Sequence, residues 1–119
     1  MTYMARGTTN YFGVNDPEAF ARALEPYDVR IEQNEQGLYA VLDSGSGSGF
    51  DWTHRDTGEE VYPPRLIAPH LRDGDVCIIS EAGFDGYAVT GYALAFNSEQ
   101  DQVEVNLDDI VDKIEAAEL

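Results

Sequence analysis

Lysine is almost missing from this chain. Lys113 is the only one in 119 residues, and with six arginines it faces twenty-three aspartates and glutamates, for a net charge of -16. So few cations cannot neutralise a phosphate backbone, so direct nucleic-acid binding is not expected, and an anionic lipid surface would repel the protein. Cysteine is as scarce. Cys77 stands alone within Val76-Cys77-Ile78-Ile79, which excludes an intrachain disulfide and a cysteine metal cluster and reads as a small buried hydrophobe. No stretch approaches the ~20 apolar residues of a membrane span. The N-terminus has no apolar run of the signal-peptide kind, so the expected location is the cytoplasm.

Histidine is limited to His54 and His70. His54, within Asp51-Trp52-Thr53-His54-Arg55-Asp56, offers a base beside a carboxylate, but no serine or cysteine nucleophile is tied to it by spacing, and an enzyme is not expected. His70, in Pro69-His70-Leu71, reads as a helix-end residue. The Gly-Ser alternation Ser44-Gly45-Ser46-Gly47-Ser48-Gly49 lacks the Lys-Ser/Thr of a phosphate-cradling loop and reads as a flexible connection, so no cofactor is expected. Asp101 to Asp112 has no central glycine and puts Val105, Leu107, Ile110 and Val111 where calcium ligands would stand, so no designed metal site is expected.

What is present suits one domain spanning residues 1–119. Gly86 to Phe96 carries no charge across eleven residues and is apolar on both sides at period two, which predicts a strand covered on both faces. Asp75 to Ala82 is β-branched and apolar and pairs with it through the Gly83–Gly86 turn, forming the expected centre of the sheet. Residues 1–7 read as a frayed end and Thr8 to Val14 as a first strand. Asn15-Asp16-Pro17-Glu18 supplies an N-cap candidate for a helix that runs to about Glu25, with Phe20, Ala21 and Leu24 on one face and Pro26 as its stop. Tyr27 to Gln33 and Leu38 to Leu42 form a hairpin across Asn34-Glu35-Gln36-Gly37. Phe50 to Thr57 alternates like a short strand, and Pro63-Pro64 opens a short helical piece, Arg65 to Leu71. Val103 to Val105 adds a third member to the central meander. Asn106 caps a final helix with an apolar stripe of Leu107, Ile110, Val111, Ile114 and Ala117. The expected class is α+β, with a mainly antiparallel sheet of five to seven strands and two principal helices on one face.

The acids are unevenly spread. Residues 1–49 hold seven against three arginines, whereas 87–119 hold eight against one lysine. On the final helix Asp108, Asp112 and Glu115 follow i, i+4, i+7, separated along the axis by roughly 6 and 4.5 Å. That is comparable to the rise of about 3.4 Å per phosphate along a DNA strand. Such a row imitates a phosphate backbone and competes for the arginines and lysines that hold nucleic acid. Asp108, Asp109, Asp112, Glu115, Glu104, Asp101 and Glu99 are the candidate partner-binding residues, with Asp51, Asp56, Glu59 and Glu60 as a second group.

Three strings, Thr8-Thr-Asn-Tyr-Phe12, Asp16-Pro-Glu-Ala-Phe20 and Val103-Glu-Val-Asn-Leu-Asp-Asp-Ile110, resemble small acidic plasmid and phage proteins of the anti-CRISPR and antirestriction kind. The resemblance implies a non-enzymatic inhibitor, in some cases a DNA mimic, of a bacterial defence complex, and carries over no catalytic residue. The expected partner is a basic nucleic-acid-binding protein or CRISPR effector complex. The competing expectation is a housekeeping or binding domain from a salt-loving organism, for which an acid-rich, lysine-poor surface is also suited. A small hydrolase using His54 is the third.

Overall fold

The computed structural model describes residues 4–84, 86, 89–107 and 117. Six strands form one antiparallel sheet: β1 (Met4–Thr9), β2 (Val29–Gln33), β3 (Tyr39–Asp43), β4 (Val76–Phe84), β5 (Val89–Asn97) and β6 (Gln102–Asn106), in the spatial order β2-β3-β1-β4-β5-β6. Two helices, α1 (Pro17–Leu24) and α2 (Pro63–Ile67), the latter extended by a 3-10 turn over Ala68–His70, lie on one side. The α+β reading holds, and its local logic is visible. Asp16 Oδ1 accepts from the Glu18 and Ala19 amides, Pro17 opens α1, and Phe20 and Leu24 are buried. Ala21 is exposed, because the buried pair faces the sheet at i, i+4 and Ala21 lies outside that narrow stripe. In the β2–β3 hairpin Asn34 Oδ1 accepts from the Gln36 and Leu38 amides, and Gly37 takes the positive φ that the turn needs.

Phe12, Val14, Phe20, Leu24, Val41, Ile67, Ala68, Leu71, Cys77, Ile79, Leu94 and Phe96 form a single core between the helices and one face of the sheet. The expectation that Gly86–Phe96 is covered on both faces holds only in part among the described residues, where Gly91, Ala93 and Ala95 are half-buried on the face away from the helices. Leu94 and Phe96 are buried in that core, while Val89 on the other face of β5 is exposed, as are Val76, Ile78 and Phe84 of β4. On this second face Leu107 rests against Gly91, and its amide donates to the Gly91 carbonyl at 2.9 Å.

The centre of the sheet is also not the β4–β5 hairpin, because β1 lies beside β4 and β5 is one strand in from the edge. Residues 4–7, expected to fray, belong to β1, whose Ala5, Gly7 and Thr9 are buried while Met4, Arg6 and Thr8 are exposed. The expected strand Thr8–Val14 ends at Thr9, after which the ladder gives way to single bridges, Phe12 to Tyr39 and Val14 to Leu71, and to separate hydrogen bonds at Asn10 and Gly13. These carry Phe12 and Val14 out of the sheet and under α1, where burial outweighs further pairing. The final helix falls mostly outside the described residues, Ile110, Val111 and Ile114 included. Asn106 closes β6, and Ala117 is helical but exposed, so it does not complete a core-facing stripe.

Cys77 is fully buried, and burial pushes its thiol pKa up to about 12. The thiolate is the reactive form, so iodoacetamide at pH 8 is expected to leave Cys77 unmodified in the folded protein and to label it in urea. Mass spectrometry of the two samples checks this. Burial likewise lowers the His70 pKa, against an opposing pull from Asp16. The ring packs edge-on against Phe20, with centroids 5.7 Å apart. Because the folded state resists protonation, the unfolded chain takes the proton first as pH falls through the ordinary imidazole value of about 6.5. Stability should therefore decline as pH drops from that value to the lower folded one, and be insensitive to His70 above it. Urea midpoints between pH 8 and pH 5.5 should show this slope in the wild type and less of it in His70→Gln.

Candidate partner-binding site

The acids divide into those that hold the backbone and those that face outward. Asp43, only 5% exposed, accepts from the Gly7 amide at 2.7 Å through Oδ2 and from the Gly45 amide at 2.8 Å through Oδ1. Glu81 Oε1 accepts from the Phe50 amide at 2.6 Å, and Asp75 Oδ2 from the Gly13 amide at 2.5 Å. These carboxylates fasten loops to the sheet and are spoken for. Counting charge along the sequence could not separate them from the rest, since each reaches its amide across thirty or more residues, apart from the short Asp43–Gly45 contact.

The outward acids include most of the expected second group. The segment after the Gly-Ser loop folds back on itself: Val61 donates to the Trp52 carbonyl at 2.9 Å, Thr53 bridges Glu60, and Gly58 takes a positive φ in the turn. His54 serves that turn, its Nδ1 accepting from the Asp56 and Thr57 amides at 3.2 and 3.3 Å while its ring meets Tyr27 edge-on. Arg55 beside it binds the Glu25 carboxylate at 3.0 Å and the Glu25 and Pro26 carbonyls. Asp56 and Glu59 are exposed at the tip. Glu99 and Asp101 are exposed in the β5–β6 turn, where Asn97 Oδ1 accepts both their amides at 3.0 Å.

Asp51, Glu60 and Glu104 come together from separate parts of the chain. They border a cavity of about 570 Å³ on the helix-bearing face of the sheet, between residues 50–63 and strands β4 to β6. Its apolar walls include Phe50, Trp52, Tyr62, Tyr92, Ile79 and Leu94. Phe50 and Trp52 are stacked with centroids 5.0 Å apart and planes at 24°. The stack is fixed from below, because Phe50 lies directly over Gly7, where any Cβ would collide with its ring, and Glu81 holds its amide. Tyr62 Oη donates to Gln102 Oε1 at 2.9 Å, joining the start of α2 to β6 on the same strand face as Glu104. The Trp52 Nε1–H is buried without an acceptor.

The chain matches no protein-family model, no curated protein and no solved structure. Asp108, Asp109, Asp112 and Glu115 lie outside the described residues, so the geometry of the expected carboxylate row is not defined. Among the described residues no three His, Cys, Asp or Glu side chains are grouped as a metal ion would require. No helix among them is long and apolar enough to cross a membrane. Composition marks Asp51, Glu60 and Glu104 as charges and carries no sign of the aromatic cavity that they border. The available signal was Phe50-Asp-Trp52 and Glu60-Val-Tyr62, two short runs in which acids interleave with aromatic or apolar residues.

Proposed function

We propose that this protein is a non-enzymatic acidic inhibitor that occupies the nucleic-acid-binding surface of a bacterial defence complex, in an anti-CRISPR or antirestriction role. The observation that carries the reading is the lack of internal neutralisation. Among the described residues Arg55–Glu25 is the one ion pair, while Asp51, Asp56, Glu59, Glu60, Glu99, Asp101 and Glu104 are all exposed. Carboxylates left unpaired and held by turns are available to arginines and lysines that otherwise grip phosphates. Docking would release counterions as DNA binding does, and electrostatic steering would speed the encounter.

The test is competition. The wild-type protein should displace duplex DNA from the basic effector complex it targets, with an apparent affinity that falls steeply as salt rises. Asp108→Asn, Asp112→Asn and Glu115→Gln together, and separately Asp51→Asn, Asp56→Asn, Glu59→Gln and Glu60→Gln together, should weaken displacement by tenfold or more and flatten the salt slope. Inhibition with DNA still bound would remove the mimic reading in favour of an allosteric or assembly-blocking inhibitor. A thermal melt that needs molar salt for cooperative folding would favour the salt-adapted domain instead.

A further inference from the structure

We propose that the cavity bordered by Asp51, Glu60 and Glu104 is a socket for one arginine side chain of the partner. The inference rests on the reading above that the partner surface is built to hold phosphates, and it assigns a specific contact within it. A guanidinium is planar and weakly hydrated, stacks on aromatic faces and pairs with carboxylates through a fixed fork of N–H donors. The cavity offers both kinds of recognition. Phe50, Trp52, Tyr62 and Tyr92 supply the aromatic surface, and carboxylates from residues 51, 60 and 104 stand around it. A small metal cation is not the fit, since the acids are spread around the space and not gathered on a point. At about 570 Å³ the volume exceeds that of a bare side chain. It suits an arginine presented on a peptide segment.

The aromatic wall needs little rearrangement to bind. Phe50 is seated on Gly7 and its amide tied to Glu81, so its stack with Trp52 stands before any ligand arrives. Pre-formed aromatic anchors lose less conformational freedom on binding and are the usual centres of strong interface contacts.

Trp52 is the only tryptophan in the chain, so its fluorescence reports on this cavity alone. The probes are the tripeptide acetyl-Gly-Arg-Gly-amide and its citrulline counterpart, which keeps the shape and loses the charge, titrated into the whole protein at 0.15 M salt. The arginine peptide should give a saturable change in Trp52 emission, and the citrulline peptide should bind at least tenfold more weakly. Glu60→Gln combined with Glu104→Gln should weaken the arginine peptide at least tenfold, whereas Glu35→Gln, exposed in the β2–β3 turn, should not alter it. Equal binding of both peptides, no saturable response to arginine, or an unchanged response in the double variant would each overturn the socket. The two proposals fail separately. Arginine binding without displacement of DNA from the effector keeps the socket and removes the inhibitor, while displacement that survives the double variant keeps the inhibitor and removes the socket.

Discussion

Phe96→Ala should lower the unfolding free energy by about 3–5 kcal/mol, the cost of removing a large aromatic side chain from a closed core. Phe96 is 1% exposed and stands opposite Cys77 of β4, in the middle of the face that Ile67, Leu71 and Phe20 cover. Total stabilities of small domains are 5–15 kcal/mol, and self-repulsion at a net charge of -16 draws this one toward the lower end. The melting temperature should fall by roughly 10–20 °C, and in dilute buffer part of the population should be unfolded at 37 °C. Molar salt, which screens the repulsion, should restore part of the loss. A variant that melts within 3 °C of wild type would mean that Phe96 is not in the core.

Asp43→Ala should destabilise the fold by about 2–4 kcal/mol, because it removes a charged acceptor from two backbone amides, one of them, at Gly7, buried. The sign is what makes the experiment informative. Removing a carboxylate from so acidic a protein relieves repulsion, and Glu99→Ala, at an exposed turn position, should be neutral or slightly stabilising. Asp43→Asn should fall between, since its amide oxygen can still accept from Gly7. Urea unfolding of the three variants at pH 7 separates an acid that holds the fold from one that faces a partner. A neutral Asp43→Ala would show that its hydrogen bonds are replaced by water at no cost.

Local chemistry was legible in the sequence wherever partners lie close along the chain. The Asp16-Pro17 start of α1 and the Asn34–Gly37 turn each declared themselves through short-range hydrogen bonding, and Cys77 through its apolar neighbours. The place of β1 was not legible. Met4-Ala-Arg-Gly-Thr-Thr9 has little β propensity of its own, and its buried positions, Ala5, Gly7 and Thr9, are small or polar. It is a central strand because its neighbours need pairing and because Phe50 needs a residue without a Cβ beneath it. The alternation in β5 gives its period but not its degree of cover, since Gly91, Ala93 and Ala95 are half-buried on one face and Leu94 and Phe96 enclosed on the other, and both sets are apolar. The acids of the cavity were identified as charges, but their convergence with Phe50 and Trp52 depends on a fold-back of residues 50–63 that only tertiary contacts specify.

The position of β1 also sets the order in which the molecule can assemble. One side of β1 pairs with β3 at Thr8 and Leu42, while the other joins Met4 to Phe84 and Thr9 to Ile79 of β4, so its second neighbour comes only some seventy to eighty residues later. The β2–β3 and β4–β5 hairpins close locally, yet the sheet between them stays open until β1 is inserted. Closing contacts of such sequence separation slows folding. Until the chain has been made through Phe84, the side of β1 that faces β4 is an unpaired edge, available to other chains as readily as to β4.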